Sequence, residues 1–183
     1  VLFGDVNPAG RLPDTLAARR EDYPDLPNYP GGGGRVEYAE GIYVGYRHFD
    51  KAGIEPQFAF GHGLSYTTFA YSDLTVTPGT MAPDGKVSVS LNVRNTGTRA
   101  GDEVVQLYIH DPAPQIDKPV RELKGFSRIA LQPGESKPVT LALDARALAY
   151  CDAPGKQWRA DAGTYEVQVG ASSRDIRLRG ELK

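Results

Sequence analysis

From Phe69 onward apolar residues occupy alternate positions, and this alternation constrains the fold of the 183-residue chain more than any other feature. Val87, Val89, Leu91 and Val93 point one way, while Ser88, Ser90, Asn92 and Arg94 point the other. Successive side chains of a strand face opposite sides of a sheet, so this is a half-buried strand. The pattern recurs in Val105, Leu107 and Ile109, in Val139, Leu141 and Leu143, and in Tyr165, Val167 and Val169. Turn chemistry separates the runs: Asn95-Thr96-Gly97, Asp111-Pro112, Gln132-Pro133-Gly134-Glu135, Ala153-Pro154-Gly155 and Ala162-Gly163. With Ser72 to Thr77, Leu123 to Leu131 and Ile176 to Leu178 added, the count reaches about seven strands, as in an antiparallel β-sandwich. Trp158 and Tyr165 are the expected aromatic anchors of its core. Tyr165, entering a strand after Gly163, suits a tyrosine corner, whose hydroxyl satisfies upstream backbone.

Residues Val1 to about Thr68 read differently. Pro8, Pro13, Pro24, Pro27, Pro30 and Pro56 remove amide donors and fix φ, which leaves no room for a long helix or a central strand. Two helical turns over Thr15 to Asp22, with Asp14 as cap, and a strand over Ile42 to Phe49 are the expected local elements. Gly31 to Gly34, not followed by Lys-Ser/Thr, is no phosphate loop and reads as a flexible surface linker. So little patterning buries a poor core alone, so the segment is expected to complete a domain whose larger part lies elsewhere. Val1-Leu2-Phe3-Gly4 lacks the basic and apolar regions of a signal peptide and reads as a chain entered partway through an element.

The hydrophobic fraction of 40% and charged fraction of 24% are those of an ordinary globular chain, and the net charge of −2 offers no field for nucleic acid or anionic lipid. No apolar run approaches the length of a membrane span. Lys118, Arg121, Lys124 and Arg128 form the densest basic run, expected as a solvated face. Cys151 stands alone and has no intrachain disulfide partner. His48, His62 and His110 are not spaced as metal ligands, and Ser65 misses the nucleophile-elbow pattern because Thr67 occupies the second glycine position. Glu37 and Glu40 are the tempting carboxylate pair for glycoside chemistry, but the structural reading is preferred, with Glu40 paired to a cation such as Arg47.

Ordered motifs carry a family resemblance. Gly4-Asp5-Val6-Asn7-Pro8-Ala9-Gly10-Arg11-Leu12-Pro13 resembles a signature near the end of the second catalytic domain of glycoside hydrolase family 3. Tyr38-Ala39-Glu40-Gly41-Ile42-Tyr43-Val44-Gly45-Tyr46-Arg47 and Phe58-Ala59-Phe60-Gly61-His62-Gly63-Leu64-Ser65-Tyr66-Thr67-Thr68-Phe69 are similar to its next two elements. Asn95-Thr96-Gly97, Gly101 to Tyr108, Glu122 to Phe126, Pro133-Gly134-Glu135, Trp158, Gly163-Thr164-Tyr165 and Gly170 to Ser173 resemble the appended fibronectin type III-like domain. One departure is Lys118-Pro119, where many members have Arg-Pro.

The resemblance implies a mainly β chain. Residues 1–68 would be the C-terminal remnant of an α/β sandwich domain plus linker, and 69–183 a fibronectin type III-like antiparallel β-sandwich. The parent would be a retaining, exo-acting β-glucosidase-like enzyme using neither metal nor organic cofactor. Its nucleophilic Asp and its acid/base Glu would both lie upstream of Val1, so no residue here is assigned as catalytic, cofactor-binding or metal-binding. The implied partners are the upstream catalytic domains, which would hold most of the carbohydrate substrate; neither nucleic acid nor membrane is among them. Phe58, Phe60, Tyr66 and Phe69 are expected to wedge the junction between segment and sandwich. The alternatives are a carbohydrate- or protein-binding module and a structural spacer. A carbohydrate-binding face would show several exposed, coplanar aromatics, drawn from Tyr108, Phe126, Tyr150 and Trp158.

Overall fold

The computed structural model describes residues 1–183. Seven long strands form the sandwich: β1 (Phe69–Thr77), β2 (Lys86–Asn95), β3 (Gly101–His110), β4 (Glu122–Leu131), β5 (Ser136–Asp144), β8 (Tyr165–Gly170) and β9 (Ile176–Leu182). One sheet has the order β1-β2-β5 and the other β4-β3-β8-β9, all neighbours antiparallel. Two short strands, β6 (Tyr150–Asp152) and β7 (Gln157–Arg159), pair with each other as a separate ribbon. The alternation sorts as expected. Val87, Val89, Leu91 and Val93 meet Val105, Leu107 and Ile109 from the facing sheet, with Val139, Leu143, Val167 and Val169 completing the core. Each such side chain contributes about 1.5–3 kcal/mol on full burial, so this layer dominates the stability of the sandwich.

Tyr165 is buried and its hydroxyl donates to the Asp161 carbonyl at 2.7 Å, the expected corner. Trp158 is not a core residue. The β6–β7 ribbon stands off the sandwich, and Trp158 is 53% exposed, its ring stacked on the Arg146 guanidinium 3.2 Å from the ring centre. The last strand also outruns its expected end at Leu178, because its pairing with β8 continues to Leu182.

Residues 1–66 pack on the outer face of β3. Their only helix longer than one turn is α1 (Tyr46–Ala52), where a strand over Ile42 to Phe49 was expected. Ile42 and Val44 mimic alternation, yet both stay about half exposed. What is buried is Phe49, Asp50 and part of Tyr46, a spacing of three and four that a helix puts on one side. The expected helix over Thr15 to Asp22 is also absent. Leu16 spends its backbone on Phe58, in bonds of 2.9 and 3.1 Å, and only Arg20–Asp22 forms a 3₁₀ turn. Asp14 accepts from the adjacent Thr15 amide instead of capping a helix. Gly31 to Gly34 contains a closed hairpin turn, not a linker: Gly32 and Arg35 exchange two backbone bonds of 3.0 Å. Gly33 and Gly34 between them take φ of +59° and +76°, which side chains other than glycine resist.

Candidate functional site

The two carboxylates that invited a catalytic reading sit in different surroundings. Glu37 is exposed and pairs with Arg35 at 3.2 Å. Glu40 does not pair with Arg47, which lies 3.2 Å from Glu122 on β4. Helix α1 carries Arg47 toward the sandwich, away from the loop that holds Glu40. One Glu40 oxygen, Oε2, is enclosed without a hydrogen-bond partner.

Chemistry-bearing side chains concentrate instead at the seam between residues 1–66 and the sandwich. At one end of β3, Arg11 pairs with the buried Glu103 and also donates to the Gly63 carbonyl at 2.9 Å. Asn7 donates to the Ala100 carbonyl at 2.9 Å and accepts from Ser65 and the Tyr66 amide at 3.0 and 2.8 Å. Ser65 is thereby occupied as a structural donor. In the middle, the Gln106 amide donates to the carbonyls of Gly61 and Ala171 at 3.1 and 2.6 Å, and Tyr108 donates back to Gln106 at 2.6 Å. Gly61 is obligatory here: it sits at φ +79°, and a Cβ would lie 2.1 Å from Gln106 Oε1.

At the other end, Asp50 of α1 is 2% exposed and lies between Arg121 and Arg174, at 3.1 and 3.2 Å. Burial pushes its carboxyl above the usual range, against the pull of Arg121 and Arg174. Arg174 also donates to the carbonyls of Phe49 and Ile54, and Arg121 to that of Ser173. The Leu123 amide donates to the Tyr46 hydroxyl at 3.0 Å, and Tyr46 stacks on Phe60 with ring centres 4.9 Å apart. Of the expected aromatic wedge, Phe60 and Phe69 pack inward, while Phe58 and Tyr66 stay 42% and 46% exposed.

The basic run is therefore no solvated face. Arg121 serves the seam, Lys124 pairs with Glu122, and Lys118 sits 2.8 Å from Asp111 with its ammonium 4.7 Å from the Tyr150 ring centre. Only Arg128 is largely exposed. The acidic partners lie far apart in sequence, so spacing alone gave no signal of them. His48 faces the Asp22 carbonyl, His62 packs by Phe58 and His110 faces the Val120 carbonyl, three separate places. The four candidate aromatics form no common platform. Tyr108 is buried beneath the N-terminal segment, Tyr150 is half-buried under Lys118, and Phe126 and Trp158 are exposed on β4 and β7.

The exposed apolar surface is distributed unevenly. Thirteen of the sixteen exposed large hydrophobic residues precede Thr67, among them Leu2, Phe3, Tyr38 and Leu64 at 73–94% exposure. The sandwich contributes only Ile116, Phe126 and Trp158.

A two-sheet fibronectin-like sandwich welded to a Pro-rich segment defines an appended-domain architecture, and comparison with known proteins gives its family. Residues 1–66 match the glycosyl hydrolase family 3 C-terminal domain, and residues 103–173 match the fibronectin type III-like domain. The chain is 46% identical over 183 residues to thermostable beta-glucosidase B of Acetivibrio thermocellus, covering all of this chain and 24% of that protein. It is 48% identical over 181 residues to a beta-glucosidase of Rhizobium radiobacter, covering 97% of this chain and 22% of that one. The structure of beta-glucosidase 3B from Thermotoga neapolitana, solved with α-D-glucose, superposes with a TM-score of 0.91 at 46% identity, over all of this chain and 25% of that one. The GH3 beta-glucosidase of Bifidobacterium adolescentis gives 0.93 at 38% identity, over all of this chain and 27% of that one. The chain belongs to glycoside hydrolase family 3, as the β-glucosidase-like C-terminal part with its fibronectin type III-like domain. It spans about a quarter of the length of these relatives.

Proposed function

We propose that the chain is the supporting C-terminal portion of a retaining, exo-acting β-glycosidase that hydrolyses terminal β-linked sugars. In this reading the chain stabilises the catalytic domains and carries none of the reacting groups. Residues 1–68 in this reading complete the second catalytic domain and its linker and 69–183 are the sandwich, a division supported by the start of β1 at Phe69. The observation that carries the proposal is the concentration of exposed apolar residues in residues 1–66. The segment is fixed to β3 and to the loops before β4 and β9 by buried ion pairs and amide hydrogen bonds, yet it keeps thirteen of the sixteen exposed large hydrophobic residues. The partner fitted to that surface is the upstream catalytic portion, which would also hold most of the substrate. The mild net charge supports neither nucleic-acid nor anionic-lipid binding, and no helix is long and apolar enough to cross a membrane.

The test is turnover of an aryl β-glucoside. The isolated chain is expected to give none, and the parent enzyme is expected to lose both stability and rate when residues 1–183 are removed. Turnover by the isolated chain that disappears in Glu37→Gln or Glu40→Gln would overturn the reading. So would a parent unaffected by the removal.

A further inference from the structure

Trp158 does not serve the core, and the junction does not use it. It lines a cleft of about 640 Å³ between the β6–β7 ribbon, the Thr80–Pro83 loop and the turn before Tyr165. That volume lies in the range of small-molecule sites. Arg146 stacks on the indole, 3.2 Å from the ring centre. The indole is thus held in place while remaining 53% exposed. The walls combine apolar Met81 and Leu148 with Gln157, Arg159 and Asp161.

We propose that this cleft binds a short β-linked gluco-oligosaccharide. The C–H face of a pyranose is apolar and packs on an aromatic ring, while its equatorial hydroxyls need donors and acceptors at the edge. The cleft supplies all three. The indole is the platform, the Arg159 guanidinium is a donor, and the Gln157 amide is both donor and acceptor. Asp161 is 9% exposed and orients the donor: its Oδ1 accepts from Tyr150 at 3.2 Å and lies 3.4 Å from Arg159, while Oδ2 lies 3.7 Å from the Lys118 ammonium. The choice of β-linked glucose among saccharides rests on the glycosidase reading above; the existence of the site does not.

Trp158 is the only tryptophan in the chain, so its fluorescence reports on the cleft alone. Titration with cellotetraose is expected to give a saturable change, with maltotetraose and glycerol giving none. Gln157→Ala, which keeps the reporter, should weaken binding about tenfold. Trp158→Ala should lose at least as much by calorimetry, with an unchanged far-ultraviolet dichroism spectrum showing that the fold survives. No saturable response by either method would overturn the site, as would unchanged affinity in Trp158→Ala. An equal response to glycerol, or binding only of an extended peptide along the free edge of β7, would overturn a saccharide ligand. An equal or stronger response to maltotetraose would overturn the β-linkage alone. No turnover is measured, so loss of the glycosidase reading leaves these outcomes distinct.

Discussion

Asn95 is the residue whose removal should cost the sandwich most for the fewest atoms. It ends β2 fully buried, and its amide uses all four of its hydrogen-bonding positions. Nδ2 donates to the carbonyls of Arg99 and Leu131 at 2.7 and 3.1 Å, and Oδ1 accepts from the Thr67 hydroxyl and the Gly97 amide at 2.6 and 3.0 Å. Leu131 belongs to the facing sheet and Thr67 to the entering segment, so one amide ties three parts of the chain. Asn95→Ala removes four bonds worth about 1 kcal/mol each, for a loss of about 4 kcal/mol. The orphaned carbonyls and hydroxyl are deep enough that water replaces them poorly. In a chain of this size the loss corresponds to a melting temperature lower by about 8–16 °C. Urea unfolding followed by far-ultraviolet dichroism gives the free energy directly. Asn92→Ala is the control, since Asn92 makes one exposed bond to Asp73 at 2.9 Å and should cost about 1 kcal/mol or less. Equal losses in the two variants would refute the argument, because burial and full satisfaction would then carry no weight.

Asp50→Ala should leave Arg121 and Arg174 facing each other without their shared anion and destabilise the seam by about 3 kcal/mol. Amide exchange should then speed up in α1 while the core of β2 and β3 stays protected. Glu166 supplies a pH test. Burial pushes its carboxyl up, but hydrogen bonds from Arg179 and Gln168 and the Arg179 charge hold it below the usual range. A lowered folded value means its contribution is complete above the unfolded value of about 4.3 and vanishes as the pH falls through the folded one. The stability gap between the protein and Glu166→Gln should therefore close on acidification, which urea midpoints at successive pH values would show.

The sandwich was legible because alternation and turns are local. Val87 to Val93 announce a strand without knowledge of any neighbour, and Tyr165 carries its corner within four residues. The N-terminal segment was not legible in the same way. Ile42 and Val44 alternate like a strand, but helix α1 forms because Tyr46 meets Tyr108 of β3 and Asp50 meets Arg121 and Arg174 from two loops. The Lys118 to Arg128 run looks solvated until Asp50, Asp111 and Glu122 are placed beside it by tertiary structure. Trp158 was assigned to the core because large aromatics usually go there, and sequence spacing does not reveal that its ribbon stands clear. The expected Glu40–Arg47 pair does not form, because sequence spacing does not reveal that Arg47 meets Glu122 on β4.

The seam along β3 has a consequence for synthesis. Arg11 and Glu103 lie 92 residues apart, and Arg174 reaches back 125 residues to Phe49. A ribosome adding about 5–20 residues each second presents the Pro-rich segment roughly 5–20 s before its dock is made. Through that interval Tyr46 has no Tyr108 to lie on and Asp50 has neither of its arginines. The segment must be shielded, or must wait unfolded, until the last strands emerge and the clasp can shut.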